Sequence, residues 1–161
     1  MDLSLLGFLF SMVLLSSCNK DNNVLSTPTT QAVPDVYKKI YGASDMYVEG
    51  NYVVIKSNGL PDHKSVYYPT GNSLYEDFSG TTFDGYTFSK NPNTISSQLY
   101  TFKIPLNPLQ SSAHSPTPLG PIGISLNGVP LFNQYAGPNQ LLTKEVKSFD
   151  RSWGHPQQTG Q

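Results

Sequence analysis

The three histidines are the side chains of this sequence with the most chemical potential. His63 lies in NGLPDHKS, His114 in SSAHSPTPLG and His155 in WGHPQQ, and all three surroundings are polar and turn-like. Imidazole is the commonest protein ligand for metals such as zinc and copper, and a nearby carboxylate can complete or orient a site. Rigid strands could bring these loops together. Because the spacing matches no metal-binding motif, the alternative of solvated loop histidines stays open.

Signatures of the common enzyme classes are absent from the sequence. It contains no GxSxG, no HExxH, no glycine-rich phosphate loop and no CxxC. Glu76 and Asp77 are adjacent in a polar loop and are expected to face solvent rather than to form an acid–base pair. We therefore expect a binding protein, and an enzyme of unknown reaction remains an alternative.

Aromatic side chains allow a second interpretation of the site. Trp153 lies beside the third histidine, and Tyr135 follows a predicted hairpin. On a β surface such rings can stack on the faces of sugars, although most aromatic rings of a β domain fill its core. A metal-independent module that binds glycans or another polymer through Trp153 and Tyr135 is thus the alternative to a metal site.

The first residues of the chain resemble a bacterial lipoprotein signal. An apolar run from Leu3 to Leu15 has the length of a signal-peptide core, and it leads into Leu-Ser-Ser-Cys at Cys18, the only cysteine of the sequence. We expect residues 1–17 to be a signal peptide and Cys18 to be lipidated. Residues 18–35 are rich in Asn, Ser, Thr and Pro and read as a disordered tether. The predicted location is the bacterial cell envelope, with the membrane as a partner.

The charge of the chain argues against nucleic-acid binding. There are 11 acidic and 10 basic residues, and the formal net charge is −1. No cluster of lysine and arginine provides the positive patch that phosphate backbones require. Nucleic acid is therefore not an expected partner.

The elements that must hold these side chains are predicted to be strands. The chain beyond the tether is rich in Tyr, Phe, Thr, Gly and Pro, and no apolar helical period lasts three turns, apart from a short turn around Val36 to Tyr41. This composition predicts a single all-β domain over residues 36–161, either an antiparallel β-sandwich or an open barrel.

Individual strands follow from alternation and turn signals. A strand through Val48, a turn at 49–51 and a strand over 52–56 are predicted first, and a strand over 86–89 follows. In QLYTFKIP, residues Tyr100, Phe102 and Ile104 are expected to face the core. Residues 122–126 and 129–132 flank Asn127-Gly128, which predicts a hairpin with a type I′ turn, its second arm placed at an edge by Pro130.

Several of these segments are similar to the YHYH family, a group of secreted or lipid-anchored bacterial proteins named for a Tyr-His-Tyr-His string. The similarity is carried by VVIKSNGLPDH, YTFKIPLNP, PLGPIGISLNGVPLFN and FDRSWGHPQQTGQ. The matching positions are Pro61, His63, Gly120, Gly123, Asn127, Gly128, Asp150, Gly154, His155 and Pro156. Many members have Cys and Asn where this chain has Ser152 and Trp153, so no thiol can contribute here.

The resemblance implies a β-rich domain and, through its histidines, a site for a metal or a polar ligand, with zinc or copper as the expected metal. His155 and Asp150 are the ligands implied here, with His63 and His114 as a further candidate polar site. The name motif would begin where this sequence stops, so we expect the domain to be incomplete at its carboxyl end. On that expectation, two further ligands are missing and metal binding is weak. The exposed strand edge would make this chain marginally stable or cause it to aggregate.

Overall fold

The structure is a computed structural model that describes residues 31–82 and 85–160. The predicted signal peptide over 1–17, the lipidation site Cys18 and most of the tether over 18–35 lie outside the described residues. In the two ranges that are described, no helix is both long enough and apolar enough to cross a membrane.

A three-stranded antiparallel sheet forms the centre of the fold. Its strands are β1 (Asp45–Glu49), β2 (Tyr52–Ser57) and β3 (Tyr100–Pro105), and β2 lies between the other two. The turn between β1 and β2 has Gly50 at φ +56°, a backbone conformation that glycine adopts without steric cost. The two predicted strands and the turn between them are confirmed.

The middle strand carries three of the four largest fully buried side chains of the described residues, and the fourth is Tyr67. Val53, Val54 and Ile55 have no exposed surface. Ile55 pairs with Met46 on β1 and with Phe102 on β3, so the apolar side chains of three strands share one face. Full burial of one such side chain stabilises a fold by about 1.5–3 kcal/mol. The sheet is therefore the main hydrophobic support of the domain.

The third strand shows the predicted alternation. Tyr100, Phe102 and Ile104 are half-buried, while Thr101 and Lys103 between them are exposed. The prediction that the aromatic and isoleucine side chains face the core is confirmed.

A hairpin of β4 (Pro121–Ile124) and β5 (Pro130–Phe132) forms a separate two-stranded sheet with a bulge between Pro121 and Gly123. The hairpin is confirmed, but its type I′ turn is wrong. Gly128 has φ +85°, whereas Asn127 is not among the residues with positive φ. The N–H of Gly128 donates to the carbonyl of Ser125 at 3.0 Å, so the central residues of the turn are 126 and 127 instead of 127 and 128. Gly128 follows the turn in the left-handed conformation.

The hairpin lies directly against the backbone next to the main sheet. The N–H of Gly42 donates to the carbonyl of Leu126 at 3.1 Å, and Ser57 Oγ at the end of β2 donates to the carbonyl of Gly128 at 2.7 Å. A Cβ atom on Gly42 would lie 1.9 Å from the carbonyl oxygen of Asn127. Only glycine permits this approach.

The rest of the described chain contains short elements. β6 (Tyr135–Gly137) pairs with β7 (Gln140–Leu141), and single 3₁₀ turns occur at Tyr37–Lys39, Leu142–Lys144 and Val146–Ser148. The first of these turns confirms the helical turn predicted around Val36 to Tyr41.

The strand predicted over 86–89 is wrong, because that segment takes part only in an isolated bridge between Thr81 and Thr87. Its backbone bonds elsewhere: Phe88 N–H donates to the carbonyl of Gly80, and Ser89 N–H donates to that of Lys147. In the described residues the regular structure is mostly strands in antiparallel sheets, with almost no helix and no closed barrel. The prediction of a single all-β domain is confirmed.

Candidate functional site

A cavity of about 610 Å³ lies where three separate segments meet. They are the loop after β2, the β4–β5 hairpin and the chain that follows it to Gly160. Of the candidate residues, those that line this cavity are His63, Tyr135, Asp150, Trp153 and His155. His114 is exposed and lies outside the cavity lining. The structure thus brings together most of the side chains chosen from the sequence.

Asp150 is the buried anchor of the last segment. It is 7% exposed, and its carboxylate accepts hydrogen bonds from Ser65 Oγ and, at 2.8 Å, from the backbone N–H of Ser152. A buried carboxylate needs such donors, since an unpaired one is strongly destabilising. Asp150 therefore ties the segment after β2 to the turn that precedes His155.

The same turn presents Trp153 at the cavity. Trp153 N–H donates to the carbonyl of Asp150 at 3.1 Å, and Asp150 N–H donates to the carbonyl of Gly154 at 2.9 Å. Trp153 has φ +65° and is 65% exposed. A bulky residue in the left-handed region is an outlier that the surrounding structure must enforce, and such outliers cluster at functional sites.

His155 has a polar neighbour at each ring nitrogen. Nδ1 lies 2.6 Å from Ser148 Oγ, Nε2 lies 3.1 Å from Glu145 Oε2, and Phe149 packs edge-on at 4.9 Å between ring centroids. The side chain is 15% exposed. Burial lowers the pKa of His155, and this outweighs the opposing effect of the Glu145 and Asp150 carboxylates.

Ser148 has one hydroxyl proton, and both the Glu145 carbonyl and His155 Nδ1 lie within reach of it. A proton on Nε2 faces the Glu145 carboxylate favourably, and Nδ1 then competes with that carbonyl for the Ser148 proton. Hydroxyl, imidazole and carboxylate are the groups of an acyl-transfer triad. However, Ser148 is only 6% exposed and its Oγ also lies 2.7 Å from the Glu145 carbonyl. We therefore assign Ser148 to positioning the imidazole.

Asp62 holds the loop that carries His63. Its carboxylate accepts from Asn127 Nδ2 at 2.9 Å and from the Tyr41 hydroxyl at 2.8 Å. These two hydrogen bonds lower the pKa of Asp62. The loop after β2 is thereby joined to the hairpin tip at the cavity rim.

Among the described residues, no group of three or more His, Cys, Asp or Glu is arranged to hold a metal ion. The ring nitrogens of His155 already face Ser148 and Glu145. Zinc or copper at His155 and Asp150 stays a prediction.

Two members of the His155 environment were missed from the sequence. Glu145 and Ser148 belong to no motif, and they reach the imidazole because consecutive 3₁₀ turns fold that segment back towards residue 155. Nothing in the residue types around them predicts those turns.

Comparison with known proteins identifies no relative: no family model matches the chain, and neither a curated protein nor a solved structure matches it. The similarity to the YHYH family stays a prediction. Parts of three segments on which that similarity depends, around residues 61–63, 125–133 and 150–156, line the same cavity.

Proposed function

We propose that this chain is a saccharide-binding module and that the sugar binds in the 610 Å³ cavity against Trp153. The observation that carries the proposal is the exposed Trp153 ring at the cavity, held by the Asp150 turn in a left-handed backbone conformation. An exposed indole ring carried on a hydrogen-bonded turn can stack on the apolar face of a sugar with little loss of backbone entropy.

The rest of the cavity suits the same ligand class. Its volume lies in the range of small-molecule sites, about 300–1,000 Å³. Tyr135 and Phe132 add aromatic surface, while His63 and Asn127 offer polar groups for sugar hydroxyls. Apolar walls with a few placed polar groups are typical of such sites.

An array of neutral and acidic oligosaccharides, probed with and without EDTA, tests the proposal. Binding should survive chelation and be lost in Trp153→Ala. Tyr86→Ala is the matched control, because Tyr86 is 45% exposed and lies outside the cavity lining. Equal binding by both variants, or no binding by the unaltered chain, would contradict the proposal.

A divalent metal site is the second candidate, favoured by the 3.1 Å approach of Glu145 to His155 Nε2 with the Asp150 charge nearby. If this site binds zinc or copper, elemental analysis after dialysis should give stoichiometric metal that His155→Ala loses. Substoichiometric metal in both proteins would end this alternative.

The location at the cell envelope is also part of the proposal. The lipoprotein-like sequence that ends at Cys18 supports it. Metabolic labelling with palmitate should mark the full chain in bacteria and fail to mark Cys18→Ser. Equal labelling of both would contradict the lipid anchor.

A further inference from the structure

A second cavity, of about 500 Å³, adjoins the first. The residues that line both are Ala136, Glu145, His155 and Gln157. Its other lining is polar and contains lysines at three positions: Lys90, Lys144 and Lys147. Glu145 is its one acidic residue, so the two cavities differ in charge and in aromatic content.

Three lysines against one glutamate leave this cavity with a net positive charge among the residues that the structure describes. None of the three lysines forms a salt bridge there, and Glu145 is directed at His155. Lys144 and Lys147 are exposed. Lys90 donates to the carbonyl of Val66 at 2.7 Å, and its ammonium has two further N–H groups. Three cations around one concave surface attract an anion.

The walls of the second cavity are fixed before any ligand arrives. The carbonyl of Ser148 accepts a hydrogen bond from the Tyr67 hydroxyl at 2.5 Å. Asn91 and Asn93 each donate from Nδ2 to the carbonyl of Pro156 at 2.9 Å. These bonds hold the lysine-bearing segments against the turn that carries His155. A site ordered in advance loses less entropy on binding.

We propose that the second cavity binds the anionic group of an acidic saccharide, a carboxylate or a sulfate ester, while a sugar ring of the same molecule stacks on Trp153. This inference rests on the proposed function and narrows its substrate class to acidic saccharides. The shared wall at His155 places the anion next to the sugar site.

The test uses titration calorimetry with three probes: oligogalacturonate, oligomannuronate and a heparin oligosaccharide, each beside its carboxyl-reduced or desulfated counterpart. The charged form of at least one probe should bind more tightly than its neutral counterpart. Lys144→Gln and Lys147→Gln should each weaken the charged form roughly two- to fivefold, the effect of a partly exposed charge pair. Added salt should reduce the same preference.

The control is Lys39→Gln, which removes an exposed lysine outside both cavities and should leave both affinities unchanged. Thermal melts confirm that each variant is folded. Equal affinity for charged and neutral forms, insensitive to the lysine variants, overturns the anion site and leaves the saccharide module standing.

Other outcomes separate the two proposals further. A preference for the charged form that survives Trp153→Ala but disappears in the lysine variants supports the anion site and overturns stacking on Trp153. No binding of any probe overturns both. Lysine-dependent binding of the heparin probe alone supports the site and assigns its anion as a sulfate ester.

Discussion

The β1–β3 sheet and the segment from Asn133 to Gly160 are built in different ways. In the sheet, Val53, Val54 and Ile55 are fully buried and consecutive strands pair in register. In the later segment most of the buried side chains are polar, namely Asn133, Ser148 and Asp150, and the buried apolar ones are Val146 and Pro156. Apolar burial supports the first region, and individually placed hydrogen bonds support the second.

This difference separates stability from site geometry. Apolar burial is non-directional and roughly proportional to area, so the sheet tolerates small shifts. A buried polar group, in contrast, depends on one or two partners in defined positions. Substitutions in the sheet should therefore act on the whole fold, whereas substitutions in the later segment should act on the cavity.

The largest effect is expected for Ile55→Ala in β2. Because Ile55 has no exposed surface and packs between two neighbouring strands, truncation leaves a cavity and should reduce the free energy of unfolding by about 2–5 kcal/mol. Urea unfolding measures it. Leu99→Ala is the control, since Leu99 is fully exposed and should change stability by less than about 0.5 kcal/mol. Similar losses in the two variants would contradict a sheet-centred core.

The next effect concerns the contact that joins the two regions. Gly42→Ala places a methyl group against the carbonyl of Asn127, and relief of that clash should cost about 1–3 kcal/mol and displace the hairpin from the cavity. Gly71→Ala is the matched control, because a Cβ atom there meets nothing within 4 Å. Urea unfolding and binding to the oligosaccharide array report both consequences. A Gly42→Ala protein with unchanged stability would show that the hairpin can move without cost.

A comparable but more local effect is expected for Asp150→Ala. This change leaves the buried Ser65 hydroxyl and the Ser152 N–H without their acceptor, at about 1–3 kcal/mol, and releases the turn that holds Trp153. The emission of Trp153, the only tryptophan, should shift. Asp45→Ala removes an exposed carboxylate that pairs with Lys56, and it should cost at most about 1 kcal/mol with no spectral change. An unchanged spectrum in Asp150→Ala would contradict the anchoring role.

The sheet could be predicted from the sequence because the patterns that indicate it lie within short stretches of the chain. Alternation in QLYTFKIP set which residues of β3 face the core, and Gly50 marked the β1–β2 turn. The strand over 86–89 was wrong because Phe88 packs from a loop, 4.7 Å from Phe78 between ring centroids, while Tyr86 is exposed. β propensity describes a half-buried surface, which a loop can also provide.

Only some of the residues around the cavity could be predicted from the sequence. His63, Asp150 and His155 were chosen as reactive types in turns, and the structure does place them around one cavity. Glu145 and Ser148 could not be chosen, because their role depends on how two 3₁₀ turns fold back on His155. The Asn127 amide was assigned to a turn, but it also bonds Asp62, a contact 65 residues away along the chain. Hydrogen bonds between residues far apart in the chain produce no periodic pattern in the sequence from which they could be predicted.

The smallest effect, and the sharpest test of the polar segment, is a dependence of stability on pH through His155. Burial holds the pKa of His155 below its ordinary 6.5 in the folded chain. Below pH 6.5, His155 is therefore protonated in the unfolded chain more readily than in the folded chain. The free energy of unfolding should fall as the pH falls, until the pH is below the pKa of His155 in the folded chain. One proton limits the slope to about 1.4 kcal/mol per pH unit. Urea unfolding between pH 7 and pH 5 measures it.

Substitution of histidines isolates this contribution. His155→Gln should flatten the slope between pH 7 and pH 5, whereas His114→Gln, at an exposed position, should retain it. The described carboxylates with lowered pKa values, Asp35, Glu49 and Asp62, contribute in a lower window, below their ordinary values of 3.8, 4.5 and 3.8. A slope that persists in His155→Gln would mean that the imidazole exchanges protons as readily in the folded chain as in the unfolded one. The burial of His155 beside Ser148 and Glu145 would then not be the source of the pH dependence.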